Sequence, residues 1–303
     1  MKKRLTRDKL KEWGIAYVFI IPALALWIWW WAIPTIQSFS LSFYTYNYTR
    51  PDENVFVGLQ NYIEIFSDEY FFRALKNSLL VVLVSVPLQS VFAMLLALAV
   101  NIKVRGRGIF RTIYYMPYIL SGIATATVFQ YMFVQDKFVP KLFSLIGFEN
   151  TTWSANTKYA LLLVILMYVW QQAGFYMIIL LAGLEDIPKE LHEAAMVDGA
   201  SKVQSFFRVT LPLLRPIMML VIIFGVINAF QIFDQIAALA KKGNLGTPAG
   251  STSTIVTYLY THSFKYNEVG YGSAVAVLLF VIIFVFTIVQ QIITRRTGGE
   301  EAA

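Results

Sequence analysis

The sequence predicts an all-α integral membrane protein, and two features of its composition carry that prediction. Of its 303 residues, 57% are hydrophobic and only 14% are charged, whereas about a quarter of the residues of a soluble globular protein are charged. The apolar residues are gathered in long runs without a charge rather than spread in amphipathic periods. A membrane-spanning β-barrel would instead show segments of about ten residues that alternate apolar and polar side chains. A bundle of spanning helices is therefore the expected fold.

Six uncharged runs define the expected helices. Each run reaches roughly the 18 to 20 residues that a helix needs to cross the hydrocarbon layer. The runs occupy residues 14–36, 77–102, 112–135, 159–184, 216–233 and 269–294. We therefore expect a basic N-terminus over residues 1–13, one six-helix transmembrane domain over 14–294 and a tail over 295–303.

The first run is expected to remain as a membrane helix rather than to be removed as a signal peptide. It is too long for a signal-peptide core, and it has no cleavage site of the A-x-A type. It also contains four tryptophans, Trp27, Trp29, Trp30 and Trp31.

The placement of the basic residues predicts the orientation. With six spans, 16 of the 25 Lys and Arg residues fall in the N-terminus, the second and fourth interhelical loops and the tail. The rule that positively charged loops stay inside then places both termini on the cytoplasmic side of the cell membrane. The net charge of +7 is thus explained by orientation, and we expect membrane lipid, not nucleic acid, as a partner.

The residue types exclude most enzyme chemistry. The chain has no cysteine and only two histidines, His192 and His262, which argues against thiolate sites and imidazole metal clusters. The nucleotide-binding pattern G-x-x-x-x-G-K-[ST] does not occur. We therefore expect no catalytic residue, no metal and no cofactor bound by this chain.

The loop over residues 185–215, between the fourth and fifth runs, is predicted to form two short helices that protrude from the bundle. Its opening carries three helix-start signals, Asp186, Pro188 and Glu190. Gly199 is expected to end the first helix. Ser201 with Gln204 is typical of a capping box that opens the second helix, which we expect to stop before Leu211-Pro212.

The same loop resembles the EAA loop of ABC importer permeases, and we call residues 185–215 the EAA loop. The family pattern is E-A-A, three residues, G, nine residues, I, any residue, L-P, and Val209 in place of isoleucine is the one departure. The matching residues are Glu193, Ala194, Ala195, Gly199, Leu211 and Pro212. Further stretches resemble the sugar-importing branch, the maltose-type inner-membrane permeases, at residues 107–117, 183–188, 198–200, 211–216 and 270–280. The chain is thereby similar to permeases with the MetI-like type I importer fold.

The resemblance implies a half-pore subunit of an importer for a mono-, di- or oligosaccharide. It implies a second, homologous permease subunit, two ATPase subunits that bind the ATP and Mg²⁺, and an extracytoplasmic sugar-binding protein. The EAA loop would dock onto an ATPase subunit. Ala194 and Ala195 would let its backbone approach closely, and Gly199 would set the angle between its helices. Glu193 and Asp198 could pair with basic groups on the ATPase.

Polar side chains inside the spans are the expected substrate contacts, because such side chains usually face the bundle interior. The candidates are Trp170, Gln171, Gln172, Asn228, Gln231 and Gln130. The first three lie roughly 17 to 20 Å into the fourth span, and an aromatic ring beside amides suits a sugar. The alternative for each amide is a hydrogen bond between helices.

Two other transport functions stay open at this point. A permease for another solute such as glycerol phosphate would need an arginine or lysine deep in a span, and none of the six runs contains one. An ion-coupled secondary carrier would need a buried carboxylate or histidine. Asp234, at a helix end, is the nearest candidate for that role.

Overall fold

The computed structural model describes residues 7–298 apart from 51, 53, 103–105 and 241–242. Most of the described residues are helical. The α-helices are α1 (Arg7–Trp27), α2 (Ile33–Leu41), α3 (Gln60–Ser67), α4 (Glu69–Asn101), α5 (Arg107–Ile119), α6 (Gly122–Met132), α7 (Phe138–Ser144), α8 (Ala160–Asp186), α9 (Lys189–Val197), α10 (Lys202–Ser205), α11 (Leu211–Leu213), α12 (Arg215–Phe230), α13 (Asp234–Leu239), α14 (Ile255–Tyr260) and α15 (Val269–Gly298).

Shorter elements join these helices. Turns of π-helix occupy Ile28–Ala32, Phe206–Thr210 and Thr261–Lys265, and a turn of 3-10 helix occupies Trp153–Ala155. Two short strands, β1 (Tyr44–Thr45) and β2 (Val55–Phe56), form an antiparallel hairpin in which Tyr44 pairs with Phe56. Parts of the predicted N-terminus and tail, residues 1–6 and 299–303, lie outside the described residues.

Five stretches of the described chain are long and apolar enough to cross a membrane. They are Ile15–Leu41, Glu69–Asn101, Ala160–Asp186, Arg215–Leu239 and Val269–Ile293. They coincide with five of the six uncharged runs, because continuous apolar sequence of this length satisfies its backbone hydrogen bonds within a helix. The all-α prediction is therefore confirmed.

The third predicted run, residues 112–135, is not one continuous helix. Leu120 and Ser121 are extended, with ψ angles of 143° and 136°, and they separate α5 from α6. Pro117 in the last turn of α5 has no backbone N–H to donate, and Gly122 is a poor helix former. The two helices contain 13 and 11 residues, each too short to span the bilayer alone. The predicted count of six continuous spanning helices is therefore not confirmed.

The fifth predicted run is also interrupted. Helix α12 ends at Phe230, and α13 begins at Asp234. The segment continues to Leu239, six residues beyond the predicted end. The charge of Asp234 ends the uncharged run, so the sequence predicted a loop from this residue onward. In the structure Gln231 lies in the interruption, and Asp234 and Gln235 form the first turn of α13.

The chain divides into two compact units, and the first comprises residues up to 65 together with 262–278. Its hairpin is fixed by Asn61, whose Nδ2 donates to the carbonyl oxygens of Ser42 at 2.8 Å and Tyr44 at 3.0 Å. The backbone N–H of Val269 donates to the carbonyl of Tyr46 at 2.8 Å. This unit therefore joins segments that are more than 200 residues apart in the sequence.

The second unit comprises residues 66–261 and those from 279 onward. Its core lies between α4 and α8, with α12 packed against α4 and α5 against α8. Ala93 and Ala97, one turn apart on α4, are completely buried. They belong to the same buried cluster as Tyr176 and Leu180 of α8, and small residues at such a contact let two helices approach closely.

The segment between α6 and α8 has a small aromatic core of its own. Trp153 is completely buried, with its ring centroid 4.8 Å from that of Phe133 and 5.2 Å from that of Tyr159. Nearby, the Lys158 ammonium donates to Glu149 at 3.1 Å, and that hydrogen bond holds the pKa of Lys158 above its usual value. This segment is thus an ordered element rather than a plain connection.

Candidate functional site: the EAA loop and the interrupted spans

The EAA loop adopts the predicted pair of short helices. Helix α9 ends at Val197, and Gly199 has a φ angle of +81°, a left-handed conformation that costs other residues roughly 1 kcal/mol or more. Gln204 N–H donates to Ser201 Oγ at 3.3 Å, while Ser201 N–H donates to Gln204 Oε1 at 2.8 Å. The predicted capping box is therefore present at the start of α10.

The second helix does not stop where the sequence predicted. Leu211 and Pro212 lie inside α11, which continues the helical path into α12 after Leu214. The preceding π-helical turn, Phe206–Thr210, is wider than an α-helical turn. Pro212 falls at the start of α11, where its missing N–H is tolerated. The expected stop before Leu211-Pro212 is therefore wrong.

The remaining predicted docking residues lie on the surface of the EAA loop. Glu193, Ala194 and Asp198 are exposed, and Ala195 is half-buried. The sequence prediction did not include the apolar side chains beside them, although Val197 is 87% exposed and Val203 66%. Exposed apolar side chains gathered on one element are typical of an interaction surface.

One set of contacts holds the two helices of the EAA loop together, and another holds the loop against the bundle. His192 Nδ1 of α9 lies 3.2 Å from Ser205 Oγ of α10, which joins its two helices. At the root of the loop, Glu185 accepts hydrogen bonds from Arg107 and Arg111 of α5. A cavity of about 290 Å³ separates parts of the loop from the ends of α4 and α8. Its lining includes Asn101, Leu184 and Lys202.

The three predicted substrate residues on α8 differ in their surroundings. Trp170 is 38% exposed and has its ring centroid 5.4 Å from that of Phe129. Gln171 is 6% exposed, with its Nε2 donating to the carbonyl of Leu120 at 2.8 Å. Gln172 is half-buried, and its Oε1 accepts no hydrogen bond. Gln172 thus carries a buried acceptor without a partner, whereas Gln171 is hydrogen-bonded within the protein.

Gln171 also joins the two interrupted spans. Its Oε1 accepts from Gln235 Nε2 at 2.6 Å, and Gln235 lies in the first turn of α13. At the same place a Cβ on Gly122 would come within 2.6 Å of Asp234 Cβ, so α6 and α13 begin in close contact. Both interruptions therefore meet beside α8. Their meeting was not predicted, because Gln171 and Gln235 are distant in sequence.

The other predicted polar residues of the spans form a mixed set. Asn228 Nδ2 donates to Tyr176 Oη at 3.2 Å, and Gln130 Nε2 donates to the carbonyl of Ala238 at 3.1 Å. Both are hydrogen bonds between helices, which is the alternative to a substrate contact for these amides. Gln231 is exposed in the interruption after α12. Gln231 is thus the member of this set whose side chain is most open to a solute.

The interrupted spans suit passage of a solute. Within the described residues, no group of three or more His, Cys, Asp or Glu side chains could hold a metal ion. Discontinuous helices are tolerated at membrane depth only where the freed backbone faces protein or a water-filled cavity, and they commonly form transport sites. The fold and the site thus define a subunit of a membrane transporter.

Comparisons with known proteins identify the family. A model of the family described as binding-protein-dependent transport system inner membrane component matches residues 89–299. The chain belongs to this family, and it is a transport component rather than an enzyme. The predicted resemblance to ABC importer permeases is thereby confirmed.

Two relatives cover nearly the whole chain. The arabinooligosaccharides transport system permease protein AraP of Halalkalibacterium halodurans is 35% identical and covers 92% of this chain and 87% of its own length. The trehalose/maltose transport system permease protein MalF of Thermococcus litoralis is 31% identical, and the match covers 95% of this chain and 96% of that protein. The chain is therefore similar to these permeases from end to end.

A solved structure has the same fold. One chain of a bacterial alginate ABC transporter, crystallised in complex with an alginate pentasaccharide-bound periplasmic protein, superposes with a TM-score of 0.79. It is 23% identical and covers 98% of this chain and 99% of its own. This likeness confirms the predicted importer-permease fold.

Proposed function

We propose that this chain is one permease subunit of an ABC importer that takes up a sugar delivered by an extracytoplasmic binding protein. The observation that carries the proposal is the EAA loop, an exposed pair of helices set across Gly199 and placed directly after α8. The names of the relatives, which transport arabino-oligosaccharides or trehalose and maltose, support a sugar as the solute. A second, homologous permease subunit completes the pore.

The EAA loop is the proposed docking element for an ATPase subunit. Its exposed Glu193 and Asp198 offer carboxylates, and Val197 and Val203 offer apolar surface. Two ATPase subunits, which carry the ATP and Mg²⁺, close on ATP binding and pull the two EAA loops of the permease pair together. The bundle then opens outward to receive the sugar.

The proposed sugar path runs beside the interrupted spans. Trp170 supplies an aromatic face, Gln172 a buried amide oxygen that has no partner within the protein, and Gln231 an exposed amide. Gln171 belongs to the wall of this path through its contact with Leu120. Asn228 and Gln130 complete the polar lining. An aromatic face with amides fits the C–H faces and hydroxyls of a sugar.

A solute carrying phosphate is the second candidate, and the described spans argue against it. A phosphate group calls for arginine or lysine, yet none of the six uncharged runs contains either. Arg107 and Arg111 lie at the start of α5 and already bond Glu185. A neutral sugar is therefore the favoured solute.

The proposal is tested by reconstituting the chain with its companion permease, ATPase and binding protein in proteoliposomes. We expect ATP-dependent uptake of at least one of arabinotriose, trehalose and maltose. Uptake of glycerol 3-phosphate alone would replace the proposal with the second candidate. Uptake driven by an ion gradient without ATP would make the protein a secondary carrier.

The docking role is tested by Gly199→Pro and Glu193→Lys. We expect each variant to reach the membrane but to lose transport, because each alters the EAA loop and neither alters a span. Glu64→Lys, a charge reversal on exposed α3, is the control and should transport normally. Wild-type ATPase association and uptake in both EAA-loop variants would refute the docking role.

A further inference from the structure

An ionic contact at the root of the EAA loop joins α8 to α5. Glu185 is the second-last residue of α8, while Arg107 and Arg111 lie one turn apart at the start of α5. Arg111 Nη2 lies 2.6 Å from Glu185 Oε1, and Arg107 Nη2 bonds the same oxygen. One carboxylate oxygen therefore bridges two guanidinium groups.

This group is more constrained than an ordinary surface ion pair. The side chains of Arg107 and Arg111 are only 26% and 34% exposed. The Nε atoms of both are buried without a hydrogen-bond partner, and the Glu185 side chain that they face is 41% exposed. Like charges four residues apart on a helix repel each other, and Glu185 is the group that compensates this repulsion.

The contact lies at one end of a long association between α5 and α8. Further along, Tyr118 of α5 stacks on Phe175 of α8 with ring centroids 4.7 Å apart. At the far end, Gln171 holds the carbonyl of Leu120, where α5 stops. Helix α5 is thus attached to α8 from the EAA loop to the interrupted part of the third segment.

We propose that Glu185 is a positioning residue that makes α5 move with the EAA loop. The proposal rests on the function proposed above, since it assigns a route from the ATPase-docking loop to the interruption at Leu120. Without the carboxylate, Arg107 and Arg111 repel each other and the start of α5 separates from the loop root. Movement of the loop then no longer carries α5 with it.

The first test measures coupling in the reconstituted transporter. Glu185→Gln should lower the amount of sugar taken up per ATP hydrolysed by about fivefold or more, the usual range for loss of a coupling interaction. Binding-protein-stimulated ATPase activity and the melting temperature should stay near those of the wild type. The exchange Glu185→Arg with Arg111→Glu keeps the charges of the group and should restore coupling. Glu64→Gln, at an exposed position of α3 outside the EAA loop, is the matched control.

Two results of this test would overturn the proposal. One is an unchanged ratio of uptake to hydrolysis in Glu185→Gln. The other is a parallel loss of uptake, ATPase activity and thermal stability that the charge exchange fails to reverse, because that pattern marks a purely structural role. If the wild-type transporter takes up none of the sugars, the proposed function fails, and the distance measurement between spin labels, which needs no sugar, still decides the role of Glu185.

The second test measures the geometry without sugar. The chain has no native cysteine, so spin labels can be placed at Thr112→Cys in α5 and Lys189→Cys in α9, both exposed. In the assembled transporter the distribution of distances between the labels should show one narrow peak, both with and without ATP. It should broaden in Glu185→Gln once ATP is added. Identical distance distributions in the two backgrounds would refute the proposal.

Discussion

The side-chain amide of Gln171 in α8 donates to the carbonyl oxygen of Leu120, the first residue at which the third apolar segment ceases to be helical. A carbonyl released from a helix at membrane depth needs another donor, because no water is available in the hydrocarbon layer. Gln171 supplies that donor, and its own side-chain oxygen accepts a hydrogen bond from Gln235. The interruption is thus stabilised from a neighbouring helix.

Gln171→Leu should therefore destabilise the protein. Loss of a buried donor leaves the Leu120 carbonyl unpaired, at a cost of about 1–3 kcal/mol, and the melting temperature of the assembled complex should fall. Gln172→Leu removes a side chain whose Oε1 accepts no hydrogen bond and should lower sugar uptake with little change in melting temperature. Equal melting temperatures in the two variants, with altered sugar preference only for Gln171→Leu, would assign the sugar contact to Gln171.

Gly174→Ala should weaken the packing of α5 on α8. A Cβ at this position would lie within 2.9 Å of the backbone carbon of Tyr114 and of the α-carbon of Tyr115, and neither backbone atom can move aside easily. Overpacking of this kind costs about 1–3 kcal/mol. The control Gly108→Ala meets no atom within 4 Å and should be neutral or stabilising. Thermal unfolding in detergent measures both, and a Gly174→Ala protein as stable as Gly108→Ala would contradict the contact.

Gln89 and Gly225 should show coupled effects on stability. Both polar atoms of the completely buried Gln89 side chain lack a partner, so replacement by leucine should be neutral or stabilising. Gly225→Ala should destabilise, because its Cβ would lie 2.5 Å from Gln89 Nε2. In a Gln89→Ala background the same change should cost less. A double-mutant cycle measures this coupling, and strict additivity would show that the two residues do not meet.

The orientation of the chain stays a prediction that single cysteines can test. With both termini and the EAA loop in the cytoplasm, as the basic residues indicate, Thr151→Cys and Ser253→Cys should react with an impermeant thiol reagent from outside intact cells. Ser201→Cys in the EAA loop should react only after the membrane is opened. The reverse pattern would invert the topology.

The sequence predicted the parts of this fold that depend on local physics. The uncharged runs predicted five long apolar segments, and the residue types at Gly199, Ser201 and Gln204 specified a turn and a capping box within a few residues. The predicted helix end before Leu211-Pro212 failed, because proline both disfavours a helix interior and is tolerated at a helix start. Leu211-Pro212 was expected to end a helix, but a proline at the start of α11 is tolerated after a π-helical turn.

The contacts around the interrupted spans could not have been predicted from one sequence. Pro117 and Gly122 are signals of a break within the third run. A prediction based only on the absence of charged residues ignores these signals and gives one continuous helix. The bond between Gln171 and Gln235, however, joins side chains 64 residues apart, and it depends on the packing of helices. The bonds from Glu185 to Arg107 and Arg111 could not be predicted either, because they depend on how α5 packs against α8.

The backbone hydrogen bond from Val269 to Tyr46 has a consequence for biosynthesis. At the usual pace of protein synthesis the two residues are made on the order of ten to forty seconds apart. During that interval α1 and the β1–β2 hairpin exist without the segment that completes their unit, residues 262–278. The earliest part of the chain to be synthesised is therefore among the last to acquire its final structure, and translation halted before residue 262 leaves it incomplete.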